Sequence, residues 1–154
     1  MKSKLLKYAQ TSSLMDIEIN TGNEVVKFNL HKEVKIDESF ISRDLKTQPS
    51  YYGFLSMLHK GLLKLLMELK VREKKAYASA YLKHKRSINK DTNRPNSDDV
   101  AKQKAELDIR YLKSQKLVIA MNYNVSRVES CVRAFEQRAS LLQTLSANRR
   151  KERE

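Results

Sequence analysis

The chain has 154 residues, 40% of them apolar, and its 31 Lys and Arg against 18 Asp and Glu give a net charge of +13. That length supports one main compact domain and leaves room for an oligomer interface to supply part of the core. A single cysteine excludes an intrachain disulfide framework and fits a reducing compartment, and no apolar run approaches the ~18 residues of a spanning helix.

The opening MKSKLLKY leads into polar TSS, so no secretory signal is expected and a soluble intracellular protein is the working class. Residues 14–36 alternate in strand fashion. Ile17 and Ile19 interleave with Asp16 and Glu18, and Val26, Phe28 and Leu30 interleave with Lys27, Asn29 and His31. Between them NTGN, Asn20–Asn23, tolerates the positive φ of a tight reversal, which predicts a hairpin. EVKIDESF then reads as a short strand or loop, and Pro49-Ser50 marks a helix start.

From Tyr51 to about Ser87 only Gly53 and Gly61 weaken a helical pattern, and neither ends it. A stripe at Leu55, Leu58, Leu62, Leu65, Leu69 and Ala76 forms its inner face. NKDTNRPNSDD, Asn89–Asp99, has no apolar side chain and reads as a loop, with Ser97 or Asp98 capping a second helix. That helix repeats Leu107, Tyr111, Ser114, Val118, Met121, Val125, Val128, Val132, Phe135, Ala139 and Leu142 at spacings of four and three. A seam held in phase over about five heptads calls for a second helix along its length. The tail ANRRKERE is expected to fray.

The fold class that follows is mainly α: a long antiparallel helical hairpin with a small N-terminal β-hairpin, assembled into a homo-oligomer. Residues 1–50 form the β-hairpin and lead-in segment; residues 51–154 form the helical hairpin, which binds partners and oligomerises. Val118, Met121, Val125, Val128, Val132 and Phe135 are the core and oligomer seam. Apolar residues outside the seam, Leu112, Leu117, Ile119 and Leu141, predict self-association.

The charge is local. Residues 51–90 hold 10 Lys and Arg against 2 acids, and such a segment attracts polyanions. At about 100° per residue, Lys60, Lys64, Lys74, Lys75, Lys85 and Arg86 lie opposite the leucine stripe. Between Lys70 and Arg86 the only acid is Glu73, so the Glu–Lys pairs of an ordinary solvated helix face are nearly missing. Tyr77 and Tyr81 sit one turn apart at its flank. Their rings either stack on unpaired bases or pack at a subunit contact; stacking would favour single strands over duplex. The candidate DNA-binding set is Lys60, Lys64, Lys70, Arg72, Lys74, Lys75, Tyr77, Tyr81, Lys83, Lys85 and Arg86.

No catalytic constellation is present. Neither phosphate-cradling glycine motif occurs. His31, His59 and His84 are scattered and lack a Cys partner at zinc-ligand spacing. Cys131 beside the seam reads as a half-buried apolar filler. Asp16 and Glu18 are solvent-facing strand positions, and no cofactor or metal is expected. The chain is not expected to be an enzyme.

EVKIDES (Glu33–Ser39), the aromatic-led helix YYGFLSMLHKGLLKLLMELKVREKKAYASAYL, a polar loop and AELDIRYLKSQKLVIAMNYNVSRVESCVRAFEQRASLLQ together resemble the UvsY recombination mediators of tailed phages. The likeness covers residues 33–150; the IDES segment and the D-x-x-YLK start of the second helix carry most of it. It implies a non-enzymatic protein of the infected bacterial cytoplasm. Such a protein binds single-stranded DNA, forms a ring-like homo-oligomer, and helps a RecA-type recombinase assemble on DNA covered by single-strand-binding protein. It also implies that the basic patch falls on Lys70–Arg86. One departure is local: Ala78-Ser79-Ala80-Tyr81 stands where the family has L-K-A-R, and the charge appears instead at Lys83, Lys85 and Arg86. The hairpin of residues 14–31 is an addition. The rival reading is a structural coiled-coil assembly protein, of a virion or scaffold, whose basic face meets an acidic partner. A membrane role is disfavoured, because the face opposite the lysines is taken by the partner helix.

Overall fold

The computed structural model describes residues 15–20, 25–89 and 93–152. In chain order the elements are β1 (Asp16–Asn20), β2 (Val25–Asn29), a short helix α1 (Leu30–Val34), a 3-10 turn (Glu38–Phe40), a long helix α2 (Ile41–Arg86), β3 (Ile88–Asn89), β4 (Arg94–Pro95), α3 (Asp98–Glu106) and a second long helix α4 (Ile109–Lys151). The chain is thus mainly helical with a small N-terminal antiparallel hairpin. It divides into two compact units, residues 1–61 with 124–154 and residues 62–123, and α2 and α4 each run through both.

In the first unit β1 and β2 pair antiparallel, with Ile17 opposite Phe28 and Glu18 opposite Lys27. Period-two alternation puts Ile17 and Ile19 in the core, while Glu18 and Lys27 form an exposed cross-strand ion pair at 3.0 Å. Residues 21–23 of the predicted turn lie outside the described residues, as do residue 24 and residues 1–14. The expected strand does not run past Asn29. Its side chain accepts from the Lys32 N–H at 3.0 Å and caps α1, so Leu30 and His31 are helical. IDES, Ile36–Ser39, is the capped approach to α2: Asp37 accepts from the Ser39 N–H at 2.9 Å, and the Phe40 N–H donates to the Asp37 carbonyl at 2.9 Å.

The first long helix begins at Ile41, not at Pro49. Pro49 removes the donor that the Leu45 carbonyl would use and, inside a helix, costs about 3 kcal/mol. Tertiary contacts outweigh that cost, because Ile41, Asp44 and Gln48 are all buried. Arg138 of α4, itself buried, places Nη2 3.0 Å from Asp44 Oδ2, and its Nη1 donates to Gln48 Oε1 at 2.6 Å. Gln48 Nε2 in turn donates to the Phe135 carbonyl at 2.6 Å. The Tyr51 and Phe135 rings stack with centroids 5.6 Å apart. Contacts that pair 44 with 138 and 48 with 135 make the two helices antiparallel here.

On α4, Val125, Val128, Phe135 and Leu142 are buried as the seam requires, but Val132 and Ala139 are half-buried and the buried positions are Cys131 and Arg138. The inward sector turns because a third layer packs on this half of α4. Arg127 Nη2 donates to the Asp16 carbonyl at 2.6 Å, Arg138 Nη2 to the Lys35 carbonyl at 3.4 Å, and Arg149 Nη2 to the Glu38 carbonyl. Cys131 is therefore fully buried, not a half-buried filler, and burial pushes its thiol pKa up. The tail does not fray at Ala147: the helix continues to Lys151.

The second unit has its core at Leu62, Leu66 and Ala80 of α2, Ala101 and Ala105 of α3, and Val118 of α4. Leu66 takes the inward position that the stripe assigned to Leu65, which is half-buried along with Leu69 and Ala76; Met121 of the seam is half-buried too. β3 and β4 pair across the loop, and Asn93 adopts a left-handed φ of 47°. Asn96 is buried and donates Nδ2 to the His84 carbonyl and to Ser87 Oγ, each at 2.7 Å, which closes the C-terminus of α2. Ser97 caps α3, as expected, by accepting from the Val100 N–H at 3.4 Å.

The second helix is not continuous from the loop. It breaks at Leu107, a predicted seam residue that is 76% exposed, and restarts where Asp108 Oδ1 accepts from the Arg110 N–H at 2.8 Å. That bond satisfies a donor at the head of α4, so the carboxylate directs the restart.

Two outcomes are expected from this packing. Asp44→Ala leaves Arg138 uncompensated and lowers unfolding free energy by about 3–5 kcal/mol, whereas Asp44→Leu with Arg138→Met comes close to wild type; denaturant midpoints distinguish the two. Gly53→Ala and Gly61→Ala each raise stability by roughly 0.5–1 kcal/mol, because a Cβ at either position meets nothing within 4 Å.

Candidate nucleic-acid interface

The cationic run follows from helix periodicity. In the second unit, Lys64, Lys70, Arg72, Lys74 and Lys75 are all exposed on α2. At about 100° per residue, Lys64, Lys74 and Lys75 share one sector, with Lys70 and Arg72 on its flanks. None of the five has a carboxylate partner among the described residues, although Glu68 and Glu73 lie on the same helix. Lys60 is also exposed but belongs to the first unit. The sequence reading missed that Met67 and Val71, 65% and 52% exposed, share the lysine sector. Their spacing of four, in phase with Lys64, Lys74 and Lys75, was the available signal.

The C-terminal end of the run is built differently. Lys85 Nζ lies 2.5 Å from Asp98 Oδ1, and the Tyr81 hydroxyl donates to the same oxygen at 3.1 Å. Lys83 Nζ and His84 Nε2 lie 3.8 and 3.7 Å from Asp108 Oδ2. Of the basic side chains at this end, Arg86 alone among the described residues is exposed without a carboxylate partner. The cations and tyrosines of Tyr77–Arg86 are therefore engaged within the chain to a degree that their spacing did not reveal. The acids that engage them come from α3 and from the α3–α4 junction, on the far side of the loop that follows α2.

The tyrosines divide as well. Tyr77 is half-buried and packs edge-on against Tyr111, with ring centroids 5.3 Å apart at 64°, an arrangement worth ~0.5–1.5 kcal/mol beyond its area. Tyr81 is half-buried and held through its hydroxyl. A groove of about 290 Å³ between α2 and the head of α4 is lined by Lys75, Ala76, Ser79, Ala80, Lys83, Asp108 and Arg110. Arg110 is thus a third cation beside Lys75 and Lys83. The hole left in the basic pattern at Ala78–Tyr81 is bordered in space by a residue from another helix.

Electrostatics follow the contacts. The Lys85 ammonium, then the Tyr81 hydroxyl, hold the Asp98 carboxyl below its ordinary value. The same contacts raise Lys85 and Tyr81 above theirs. Asp108 is lowered first by the Arg110 backbone N–H, with Lys83 and His84 adding to it.

No protein-family model matches the chain, and no curated protein matches it in sequence. Among solved structures the chain is similar to the bacteriophage T4 recombination mediator protein UvsY. The crystal structure in lattice type II is 18% identical with a TM-score of 0.64, over 81% of this chain and 93% of that chain. The structure in lattice type I is 16% identical with a TM-score of 0.65, over 80% and 95%. The likeness establishes a shared fold over most of both chains.

The lowered Asp108 makes the second unit acid-sensitive with a defined sign. Its folded pKa lies below its unfolded one, so its stabilisation is present above about pH 4 and is lost as pH falls through the folded value. Asp108→Asn is expected to melt below wild type near pH 7, and the difference in thermal midpoint is expected to close in acid.

Proposed function

We propose that the chain is a recombination mediator. It holds single-stranded DNA along the α2 cations and helps a RecA-type recombinase replace single-strand-binding protein on that DNA. The observation that carries this reading is the uncompensated run from Lys64 to Lys75, on a chain whose fold is that of a recombination mediator. Lysines and arginines with no internal partner lose nothing when a phosphate arrives, and each phosphate they neutralise releases condensed counterions. The grip is therefore independent of base sequence, as a protein acting anywhere on a genome requires. Met67 and Val71 among the cations give unstacked bases an apolar surface that a duplex does not offer.

The action is contact and competition, with no bond made or broken by the chain. It is exerted by a ring-like homo-oligomer, which multiplies a weak site along one strand. Exposed apolar side chains support self-association: Leu117, Ile119 and Leu141 are each more than half exposed. Among the described residues no helix is long and apolar enough to cross a membrane. The reading places the protein in the cytoplasm of an infected bacterium.

The test is binding of oligo(dT) and of a duplex of equal length across a salt series, followed by recombinase loading on strands covered by single-strand-binding protein. The single strand is expected to bind more tightly. Replacing both Lys74 and Lys75 by Ala is expected to flatten the log–log salt dependence by about 0.7 per lost contact with helicity intact, and to slow loading. Equal affinity for duplex, or loading that does not respond to the chain, overturns the reading.

A further inference from the structure

Two carboxylates hold the basic end of α2, and they are not equivalent. The Asp108 side chain is 10% exposed, and the backbone N–H of Arg110 bonds it while Lys83 and His84 stand at 3.7–3.8 Å. It belongs to the junction that restarts the helix. The Asp98 side chain is 62% exposed. It is not the residue that caps α3, since Ser97 does that. Its Oδ1 instead receives both Lys85 Nζ, at 2.5 Å, and the Tyr81 hydroxyl, at 3.1 Å. One carboxylate oxygen thus holds a cation and a tyrosine hydroxyl on neighbouring turns of α2, next to the free run that ends at Lys75.

We propose that Asp98 gates this end of the nucleic-acid surface: its carboxylate occupies the position of a strand phosphate on Lys85, and a phosphate that displaces it also frees the Tyr81 ring for an unpaired base. The inference rests on the single-strand reading above and adds to it a residue that sets how much of the surface is in use. An exposed ion pair is weak, so a polyanion that releases counterions displaces it. The shared oxygen couples the two released groups, because Tyr81 loses its acceptor when the carboxylate turns away. Both contacts hold the Asp98 carboxyl below its ordinary value. Salt weakens the gate as well as the grip, so the gate's effect is greatest at low ionic strength.

The experiment compares full-length wild type, Asp98→Asn, Asp99→Asn, Lys85→Ala and the Asp98→Asn/Lys85→Ala pair for binding of fluorescent oligo(dT) over a salt series, with helix content checked by circular dichroism. Asp99 is the neighbouring exposed acid with no partner among the described residues, and it controls for loss of a negative charge as such. Asp98→Asn is expected to raise affinity about two- to fivefold at low salt, the range set by a weak surface pair, and to steepen the salt slope by up to about 0.7, to the extent that Asp98 keeps Lys85 out of the wild-type contacts. Adding Lys85→Ala is expected to cancel both changes. In the absence of DNA, the ring carbons of Tyr81 followed by NMR against pH are expected to titrate at a lower value in Asp98→Asn than in wild type.

Asp98→Asn behaving as Asp99→Asn, or keeping its gain in the Lys85→Ala background, overturns the gate while leaving single-strand binding in place. Wild-type protein that retains no oligo(dT) at any salt overturns the single-strand reading, and the gate with it.

Discussion

A buried ion pair fixes the first unit. Arg138 and Asp44, with side chains 6% and 9% exposed, meet between the two long helices, and nearly every irregular feature of that unit is arranged around them. Burying two charges is unfavourable unless their remaining donors and acceptors are met. Here most of them are met: Gln48 accepts from the guanidinium, the Asp37 N–H donates to the Asp44 carboxylate at 3.3 Å, and the Lys35 carbonyl accepts from Nη2, while Arg138 Nε is buried with no hydrogen-bond partner among the described residues. The pair therefore gathers the lead-in segment, the start of α2 and the middle of α4 into one polar network. A hydrophobic seam alone can slide by a heptad; a guanidinium with three directional partners cannot. These directional contacts favour one registry of the antiparallel helices, and the helix can run through Pro49 because the residues on its N-terminal side are held from outside.

The second unit uses charge in the opposite way. Its core is thin, leucine giving way to alanine at Ala80, Ala101 and Ala105, which lets helices approach closely without much buried area. Ionic contacts there lie at the surface, where each contributes little. The exception is Asp108, whose carboxylate is nearly buried and ends one helix while beginning the next. Among the described residues, one fixed carboxylate, Asp108, and one exposed carboxylate, Asp98, meet the basic end of α2. The buried ion pair thus lies in the first unit, and the ionic contacts at the basic end of α2 lie in the second.

Legibility in the sequence followed the range of the interaction that decides each feature. The hairpin was readable because Ile17 and Ile19 alternate with acids over a few residues, and a half-buried strand needs nothing more. The long helices were readable because a 3.6-residue period repeats many times. Pro49 misled because the local rule for proline was right and was outweighed by Gln48 and Asp44, whose partners lie about ninety positions away in sequence. Asn29 misled for the converse reason: it fits the strand alternation and also caps a helix, and only the next turn of backbone decides between them. The turn of the seam to Cys131 and Arg138 was hidden because a heptad reading assumes one partner helix, whereas this half of α4 also packs the lead-in segment. The cationic face was legible as composition. Which of its members are engaged was not, since Asp98 and Asp108 follow a loop whose path the sequence does not specify.

In the proposed role, the contrast between free and engaged cations has a kinetic consequence. A surface that gripped a strand with every positive charge at full strength would compete with the recombinase it is meant to serve, because affinity differences among related complexes reside mostly in dissociation rates. Five cations without carboxylate partners among the described residues supply attraction at no cost in broken contacts. Lys85 and Tyr81 add to it only after an internal contact has been given up, and that contact re-forms as the strand departs. In that proposal the Asp98 carboxylate takes the place of a phosphate that leaves Lys85, so this one contact is exchanged at a cost comparable to a surface ion pair. A mediator standing between a covering protein and a recombinase needs its grip and its hand-over to overlap, and the proposed gate would supply that overlap through the Asp98 carboxylate within reach of Lys85.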